Sequence, residues 1–455
     1  MSPRGVLASR DFRLLFAGRS VSLLGDGAFL VALAWQAYTI SNAPSALSLL
    51  GIAMTVPLIA LLLFGGVVSD RHNRRRVMLI ADLLRAVVLA LLGALAMSGA
   101  LRLWQMMVLV ALYGGAQAFF DPASDAILPE LLPANQLGEA NALEQVVRPL
   151  ALRLAGPALG GILVGTLGAG SAFFVDAATF LASASALWAM SSGGTAARGR
   201  IRTRRARLDE VHDKPAAEMG AGSLSDGEES AGLATSLELR EGWSYVRRHV
   251  WLWGTLASAG IAYLLFMGPA EVLLPYMVKH VLGGSGVQLG LVLGAGGLGS
   301  VGCALAMLHS GLPSRSMTFI YVVWALATLS VAGYGLASTI WQLMLASLAF
   351  NLLETAGTIV WATFKQRHVP GEMLGRVSSL DWLISIGLLP LSFALTAPLS
   401  AALGARATLI GAGLAGAAAT LGGLALPGMR AVDGTLGGED RVGSLTPSGR
   451  AATIN

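Results

Sequence analysis

The chain has 455 residues, of which 55% are hydrophobic and only 13% are charged, and its formal net charge is +5. Soluble domains carry about 25% charged residues, so this composition excludes a water-soluble globule, and the abundance of apolar residues excludes a disordered chain. Cys303 is the only cysteine, which excludes a disulfide scaffold. The composition is typical of a polytopic membrane protein.

Apolar runs long enough to cross a bilayer recur along the chain. Six precede a polar stretch and six follow it, at about 14–40, 46–68, 77–99, 103–125, 143–167, 172–190, 250–278, 287–308, 317–336, 339–364, 377–402 and 406–427. They predict an all-α membrane protein with twelve transmembrane helices. We expect an N-terminal six-helix bundle at 1–190, a cytoplasmic linker with a short surface helix at 191–249, a C-terminal six-helix bundle at 250–427 and a disordered cytoplasmic tail at 428–455.

Positive charge is distributed unequally between the two sides of the predicted membrane. Most of the 31 lysines and arginines lie in the termini, in the linker and in the loops on the same side. The opposite loops carry only Arg102, Lys279 and Arg406. Because positive loops stay on the cytoplasmic side, this pattern predicts that both termini are cytoplasmic.

The two halves also share a sequence register. Trp104-Gln105 and Trp341-Gln342 are separated by the same number of residues as Pro133 and Pro370. One register shared across two spans and a loop indicates a duplicated six-helix unit.

The loop between the second and third spans contains the most specific motif. It runs Gly66-Val-Val-Ser-Asp70-Arg71-His-Asn73-Arg74-Arg75. This sequence resembles the signature loop of the major facilitator superfamily, with Asn73 where that family usually has glycine; asparagine also tolerates a left-handed turn. The resemblance implies two pseudo-symmetric six-helix bundles around a central cavity. It also implies a conformational latch in which Asp70 faces the start of span eleven, whereas the alternative is a positive-inside cluster with an incidental aspartate.

A second motif lies in span five, where Gly156, Pro157, Gly160 and Gly161 form a small-residue face. Such a face permits close helix packing, and proline removes one backbone hydrogen bond. In the superfamily a similar sequence marks antiporters and implies a hinge. Its fuller form begins with a glycine where this chain has Leu152, and the alternative is ordinary packing with a kink.

Further stretches resemble the proton-antiport branch of drug and siderophore exporters. They are Phe119–Ala123, Leu128–Pro133, Ala140–Leu143, Asp82–Arg85 and Glu241–Arg248. In one departure, Val110 and Ala111 precede Gly114-Gly115, where many drug antiporters carry an arginine. The resemblance implies proton-coupled export of small hydrophobic or amphiphilic compounds. Export of a siderophore or lipid-like metabolite is the first alternative, and a non-transporting receptor or scaffold is the second.

Charged residues inside spans are functional candidates because burying them in a bilayer is unfavourable. Asp26 lies near the middle of span one, seven residues after Arg19 and therefore on the same face. We expect Asp26 to bind and release a proton; the alternative is a permanent ion pair with Arg19 or Arg153. Arg153 has no obvious partner in its own helix and is a candidate for a switchable ion pair. Two other arginines have carboxylates one turn earlier, and self-pairing is expected for Arg148 with Glu144 and for Arg85 with Asp82.

Span ten carries a polar stripe of Asn351, Glu354 and Thr358, in which Glu354 is the candidate for the cavity and for proton coupling. The repeat register aligns Glu354 with Gln117 of span four, whose face continues to Asp121. Further cavity candidates are therefore Gln117, Asp121 and Glu271. Asp176 is expected to be structural.

The sequence contains no catalytic constellation, and its six histidines fall in loops or at span ends, so neither an enzyme, a cofactor nor a metal site is predicted. The expected partners are a small-molecule substrate, protons and the lipid bilayer, without nucleic acid. The protein is expected to be a monomer in the bacterial cytoplasmic membrane.

Overall fold

A computed structural model describes residues 5–191, 243–307 and 313–434 of the chain. These residues form helices and connecting turns, and no strand occurs among them. The predicted surface helix begins before residue 243, outside the described residues, and only its last part at 243–248 is seen as a helical turn.

The first half contains six long helices. They are α1 (Arg10–Ile40), α2 (Pro44–Arg71), α3 (Arg74–Met97), α4 (Leu103–Leu131), α5 and α6 (Ala169–Ala189). Helix α5 consists of two α-helical segments, Ala134–Pro149 and Gly156–Leu167, joined by a π-helical stretch at Leu150–Ala155. A short 3₁₀ helix, Val6–Ala8, precedes α1.

The second half repeats this layout. It contains α7 (Val250–Tyr276, continued by a π-helical stretch at Met277–Val281), α8 (Gly286–Met307), α9 (Ser316–Leu336), α10 (Ile340–His368), α11 and α12 (Ala405–Leu424). Helix α11 consists of Gly371–Gly387 and Leu389–Leu403. Among the described residues, 12 helices are long and apolar enough to cross a membrane, which confirms the predicted number of spans.

Helix contacts follow the same pattern in both halves. In the first half, α1 packs on α5 and α6, α2 packs on α4, and α3 packs on α4 and α6. In the second half, α7 packs on α11 and α12, α8 packs on α10, and α9 packs on α10 and α12. The halves meet mainly through α5 against α8 and α2 against α11, which are also equivalent pairs. The contacts therefore have the symmetry of a duplicated unit.

The helix ends define two sides of the molecule. The termini side carries the described chain ends, and the far side carries the turns after α1, α3, α5, α7, α9 and α11. One large apolar cluster joins the two halves near the far side and includes Phe29, Tyr38, Val272 and Phe393. Near the termini side, the described apolar residues form separate clusters for each half. The two halves are therefore packed together most extensively at the far side.

The turn in the signature loop differs from expectation. Asn73 has extended backbone (φ −67°, ψ 110°), and its side chain caps α3 by accepting a hydrogen bond from the Arg76 N–H at 3.2 Å. The expectation of a left-handed turn there was wrong, because asparagine is equally suited to an N-cap. Close packing is made by Gly65, where a side chain would collide with the carbonyl of Ala118, whereas no described atom lies within 4 Å of the corresponding position at Gly66.

The predicted tail begins later than the sequence suggests. Met429–Gly434 form a 3₁₀ helix after α12. Asp433 accepts hydrogen bonds from the backbone N–H groups of Met317 at 2.7 Å and Thr318 at 3.2 Å, and so caps α9. An anionic side chain is favourable at the start of a helix. Residues 435–455 lie outside the described residues, and so do most of the residues of the linker.

Candidate functional site

Hydrogen bonds between the halves close the far side. The hydroxyl group of Tyr38 on α1 donates to the carbonyl oxygen of Val272 on α7 at 2.6 Å, and Tyr38 is fully buried. Nearby, the ammonium group of Lys279 donates to Thr39 Oγ1 at 2.7 Å and to the carbonyl of Trp35 at 3.2 Å. These contacts tie the first helix of each half together.

Helices α5 and α8 approach each other closely through glycines. A Cβ atom on Gly161 would lie 2.7 Å from the Cα atom of Gly290, and the same holds in reverse. A Cβ atom on Gly160 would lie 2.6 Å from the Cα atom of Ala28 on α1. These span-five residues form a packing face, as small residues do in membranes. The antiporter-type hinge that their motif implies stays a prediction.

The π-helical stretch of α5 precedes this glycine face and carries Arg153. Pro157 has no backbone N–H, so it cannot donate to the carbonyl of Arg153 four residues earlier. Gly297 of α8 packs against this carbonyl, and any side chain there would collide with it. Single π-helical turns are frequent at functional sites, and this one places a charged residue beside the second half.

Arg153 contacts the polar stripe of α10. Its Nη1 atom lies 3.4 Å from Glu354 Oε2 and 3.5 Å from Asn351 Oδ1. Glu354 also accepts a hydrogen bond from the Thr358 hydroxyl at 3.0 Å. Glu271 of α7 is exposed and interacts electrostatically with Arg153. The structure therefore brings four of the predicted residues together at the boundary between the halves. The fifth, Glu271, is close enough to interact with the positive charge of Arg153.

Asp26 does not form the ion pair that was considered as an alternative. It is half-buried and accepts a hydrogen bond from the Tyr113 hydroxyl of α4. Arg19 instead pairs with Glu144 Oε1 at 2.9 Å and donates to Ser124 Oγ at 2.6 Å. The expected pairing of Arg148 with Glu144 was wrong because α1 packs on α5 and brings Arg19 to that carboxylate.

Other polar and charged side chains in the first half are held in place by contacts with neighbouring side chains. Arg85 pairs with Asp82 at 2.6 Å, as the spacing suggested, and its guanidinium group lies 4.3 Å from the ring centres of both Phe120 and Phe180. Gln117 donates to Asp121 at 3.3 Å, within α4. These two residues therefore contact each other rather than Glu354.

The second half contains a cavity of about 250 Å³, and two residues of the predicted polar stripe, Glu354 and Thr358, line it. Seven of its lining residues are aromatic, among them Tyr263, Trp324 and Trp382, so we call it the aromatic cavity; Glu354 and Asp381 are its carboxylates. Asp381 Oδ2 accepts hydrogen bonds from Lys365 Nζ at 2.6 Å and Trp361 Nε1 at 3.0 Å. Sequence analysis missed Asp381 and Lys365; the available signal was an aspartate inside the apolar run of span eleven.

The basic residues of the signature loop hold neighbouring helix ends. Arg74 contacts Glu130 at 2.9 Å and the Ala126 carbonyl at 2.8 Å, both on α4. Arg75 donates to the carbonyls of Leu187 and Trp188 on α6. Arg71 is exposed at the end of α2. The side chain of Asp70 lies outside the described residues, so its contact with span eleven stays a prediction.

The described residues contain no group of histidine, cysteine, aspartate and glutamate side chains that could hold a metal ion. With the arrangement of helices and charges established, comparison with known proteins identifies the family. The sequence model of the Major Facilitator Superfamily matches residues 15–385. The chain belongs to the Major Facilitator Superfamily.

Several curated relatives of this superfamily member are transporters. Multidrug efflux pump Tap of Mycolicibacterium fortuitum is 26% identical over 94% of this chain and 98% of its own length. Macrolide efflux protein A of Streptococcus pyogenes is 24% identical over 85% of this chain and 88% of its own. An uncharacterized MFS-type transporter of Bacillus subtilis, YfiS, is 23% identical over 79% and 77% of the two chains.

Solved structures show the same fold. A bacterial homologue of the iron transporter ferroportin in an inward-facing state superposes with a TM-score of 0.64, at 14% identity, and covers 92% of this chain and 100% of that chain. A POT family transporter in complex with 5-aminolevulinic acid has a TM-score of 0.61 at 14% identity and covers 93% and 97% of the two chains. The family and the transporter relatives together identify the protein as a multi-pass membrane transporter of small molecules, which is a non-enzymatic function.

Proposed function

We propose that this transporter exports small hydrophobic or amphiphilic compounds in exchange for protons, by alternating access. The observation that carries the proposal is the contact between Arg153 and Glu354, because it joins the two halves through groups whose attraction depends on protonation. The efflux relatives support the direction of transport. The antiporter-type sequence around Pro157 supports the exchange of substrate for protons.

Protonation of Glu354 removes the negative charge that faces Arg153. The Arg153 guanidinium can still donate to the neutral carboxyl group and to Asn351, but the Coulomb attraction between two opposite charges is lost. The halves then lose one of the contacts that hold them in this arrangement. In the proposed cycle, a substrate that binds near Glu354 competes with the proton for the same charge, which makes the exchange obligatory.

Asp26 is the second candidate for proton coupling. It is half-buried in the middle of α1 and held by the Tyr113 hydroxyl, without a cationic ion-pair partner among the described residues. Because no cation is in ion-pair contact with this carboxyl group, binding a proton does not break an ion pair. In the proposed cycle, the latch at Asp70 opens and re-forms on the cytoplasmic side as the halves rock.

The aromatic cavity supports the proposed substrate class. Trp324, Trp382 and Tyr263 provide apolar surface, and ligand sites of this kind combine such surface with a few polar groups. Glu354 provides such a group and lies in the wall between the cavity and Arg153. Occupation of the cavity would therefore act directly on the contact between the halves.

The test uses inverted membrane vesicles with an imposed pH gradient and a panel of fluorescent dyes and antibiotics. We expect uptake that an uncoupler abolishes and that falls at least tenfold in Glu354→Gln, a tenfold change being about 1.4 kcal/mol. Asp125→Asn is the matched control, because Asp125 is an exposed carboxylate of α4 for which no hydrogen bond is found among the described residues. It lies beside Arg19 and Glu144 in the first half and does not line the aromatic cavity. Uptake that persists without the gradient would contradict proton coupling, and absence of any uptake by folded protein would favour a receptor or scaffold.

A further inference from the structure

A group of ionisable side chains lies buried in the first half, apart from the Arg153–Glu354 pair. It consists of Asp26 on α1, Asp82 and Arg85 on α3, Tyr113 on α4 and Asp176 on α6, and we call it the N-half carboxyl cluster. Asp82 and Asp176 have 0% exposed surface and Arg85 has 4%, whereas Asp26 is half-buried. The cluster therefore has one partly accessible member and a dry interior.

The charges of this cluster do not balance. Arg85 provides the only positive charge in it and is paired with Asp82 at 2.6 Å. Asp26 and Asp176 remain without a cation in salt-bridge contact among the described residues, and they interact electrostatically with each other. The other ionisable groups that act on Asp26 from neighbouring helices are Arg85, Tyr113, Asp121 and Arg148. Two ionised carboxylates here would leave unpaired negative charge in a dry, apolar environment, which is strongly unfavourable.

Hydrogen-bonding capacity in the cluster is also unfilled. Asp176 Oδ1 accepts a hydrogen bond from the Thr179 hydroxyl at 3.0 Å, but Asp176 Oδ2 is buried without a partner among the described groups, and so is Asp82 Oδ2. Buried polar atoms usually find a partner, so each exception requires an explanation. A proton on the Asp176 carboxyl group removes the buried negative charge, which is the larger penalty, because an unpaired charge is more costly to bury than an unpaired neutral polar group.

The backbone of α1 accommodates Asp176 at Gly25, the residue before Asp26. A side chain on Gly25 would collide with Asp176 Oδ1 and Thr179 Oγ1. Glycine at this position lets the Asp176 carboxyl group lie directly against α1. The fold thus places two carboxyl groups from different helices within one turn of α1.

We propose that the N-half carboxyl cluster is a proton-binding site in which Asp26 and Asp176 share one proton, with Asp82 and Arg85 as a fixed neutral pair. The proton reaches the site from water through Asp26, the accessible member, and returns by the same route. Asp176, which the sequence suggested was only structural, is part of this site. The role of the site in transport rests on the proposed function, whereas the protonation itself does not.

Infrared difference spectroscopy on the purified full chain tests this inference without a substrate. A protonated carboxylic acid has its own carbonyl band, which shifts in heavy water. We expect such a band in the wild-type protein at neutral pH and its loss in both Asp26→Asn and Asp176→Asn, because the remaining carboxyl group then ionises beside Arg85. Asp125→Asn, the same change at an exposed carboxylate, should keep the band.

The outcomes separate the two proposals. A band that survives both variants, or that is absent from the wild-type protein, would overturn the proton site. Loss of the band in only one variant would assign the proton to a single carboxyl group and overturn the sharing. If Asp176→Asn does not fold, the other two variants decide. Loss of the band in Asp26→Asn with its retention in Asp125→Asn supports a protonated cluster, and retention of the band in Asp26→Asn overturns it. A failure of gradient-driven uptake with the band present would reject the transport mechanism and leave the site standing.

Discussion

Arg153 has no carboxylate within one turn of its own helix, and Glu354 of the other half provides one. The side chains are 47% and 22% exposed, so this pair contributes little to stability, since exposed ion pairs are worth about 0–1 kcal/mol. Arg85 and Asp82 present the opposite case, with 5% and 0% of their side-chain surface exposed. One pair is therefore able to open, and the other is fixed.

The buried pair leads to a prediction about stability. Removal of one partner leaves an uncompensated buried group, so we expect Asp82→Asn and Arg85→Met each to lower the free energy of unfolding by about 3–5 kcal/mol. The double variant should lose clearly less than the sum, because neither charge is left alone. Denaturant unfolding in detergent measures all three, with Asp125→Asn as the control expected to stay within about 0.5 kcal/mol. Additive losses would show that the two side chains do not act as a pair.

Sequence patterns predicted individual charges better than their partners. Asp26, Arg153 and Glu354 were identified because charge inside an apolar run is visible in one dimension. Their partners come from other helices: Tyr113 from α4 and, for Arg153, Glu354 from the other half. Helix rotation and packing decide these pairs, and spacing along one helix does not contain that information.

At the scale of helices, hydropathy predicted all the spans but not their internal breaks. Helix α5 begins at Ala134, before the apolar run that starts near residue 143, because its first segment is polar enough to escape a hydropathy reading. Pro157 was the only signal in the sequence for the π-helical stretch at Leu150–Ala155. The small-residue face of α5 was predicted, but its glycine partners on α8 became evident only in three dimensions.

Contact between α5 and α8 leads to a prediction about packing. A valine at position 290 would press on the Gly161 backbone, since even a Cβ atom would lie 2.7 Å from its Cα atom. We expect Gly290→Val to separate the helices and to lower the melting temperature by several degrees, given the 1–3 kcal/mol typical of overpacking. Gly302→Val is the matched control on the same helix, because no described atom lies within 4 Å of that position.

Thermal unfolding in detergent compares the two glycine variants directly. The control should melt within about two degrees of the wild-type protein, since unstrained surface changes are usually within 0.5 kcal/mol. Equal melting temperatures for Gly290→Val and Gly302→Val would contradict a tight α5–α8 contact in the folded protein.

At the scale of the whole molecule, equivalent contacts in the two halves produce one interface at the far side. The large apolar cluster there joins both halves, and Tyr38 and Lys279 add hydrogen bonds across it. A duplicated bundle that rocks must break such contacts on one side as it forms them on the other. In the proposed cycle, a change in the halves' orientation therefore acts on the Arg153–Glu354 contact, whose two partners belong to different halves.

The distribution of charge predicts the direction of the molecule in the membrane. Two of the three far-side cations are occupied internally, whereas Arg102 is exposed. Lys279 contacts Trp35 and Thr39, and Arg406 donates to the carbonyls of Gly335 at 3.0 Å and Ala337 at 2.8 Å. On the termini side, Arg71 and Arg76 are exposed near the membrane surface. This asymmetry predicts that the termini side faces the cytoplasm, because positive loops are retained there.

Cysteine labelling in intact cells tests that orientation. In a Cys303→Ala background, Ser98→Cys and Ser338→Cys mark exposed far-side turns, one in each half, and His72→Cys and Arg248→Cys mark exposed positions on the termini side. A membrane-impermeant maleimide should label the first two in whole cells and the last two only after the membrane is opened. The far-side positions in the two halves should give the same labelling result, because equivalent far-side turns lie on one face of a protein with twelve spans. Labelling of the termini-side positions in intact cells would reverse the orientation, and with it the direction in which the proposed proton gradient drives the substrate.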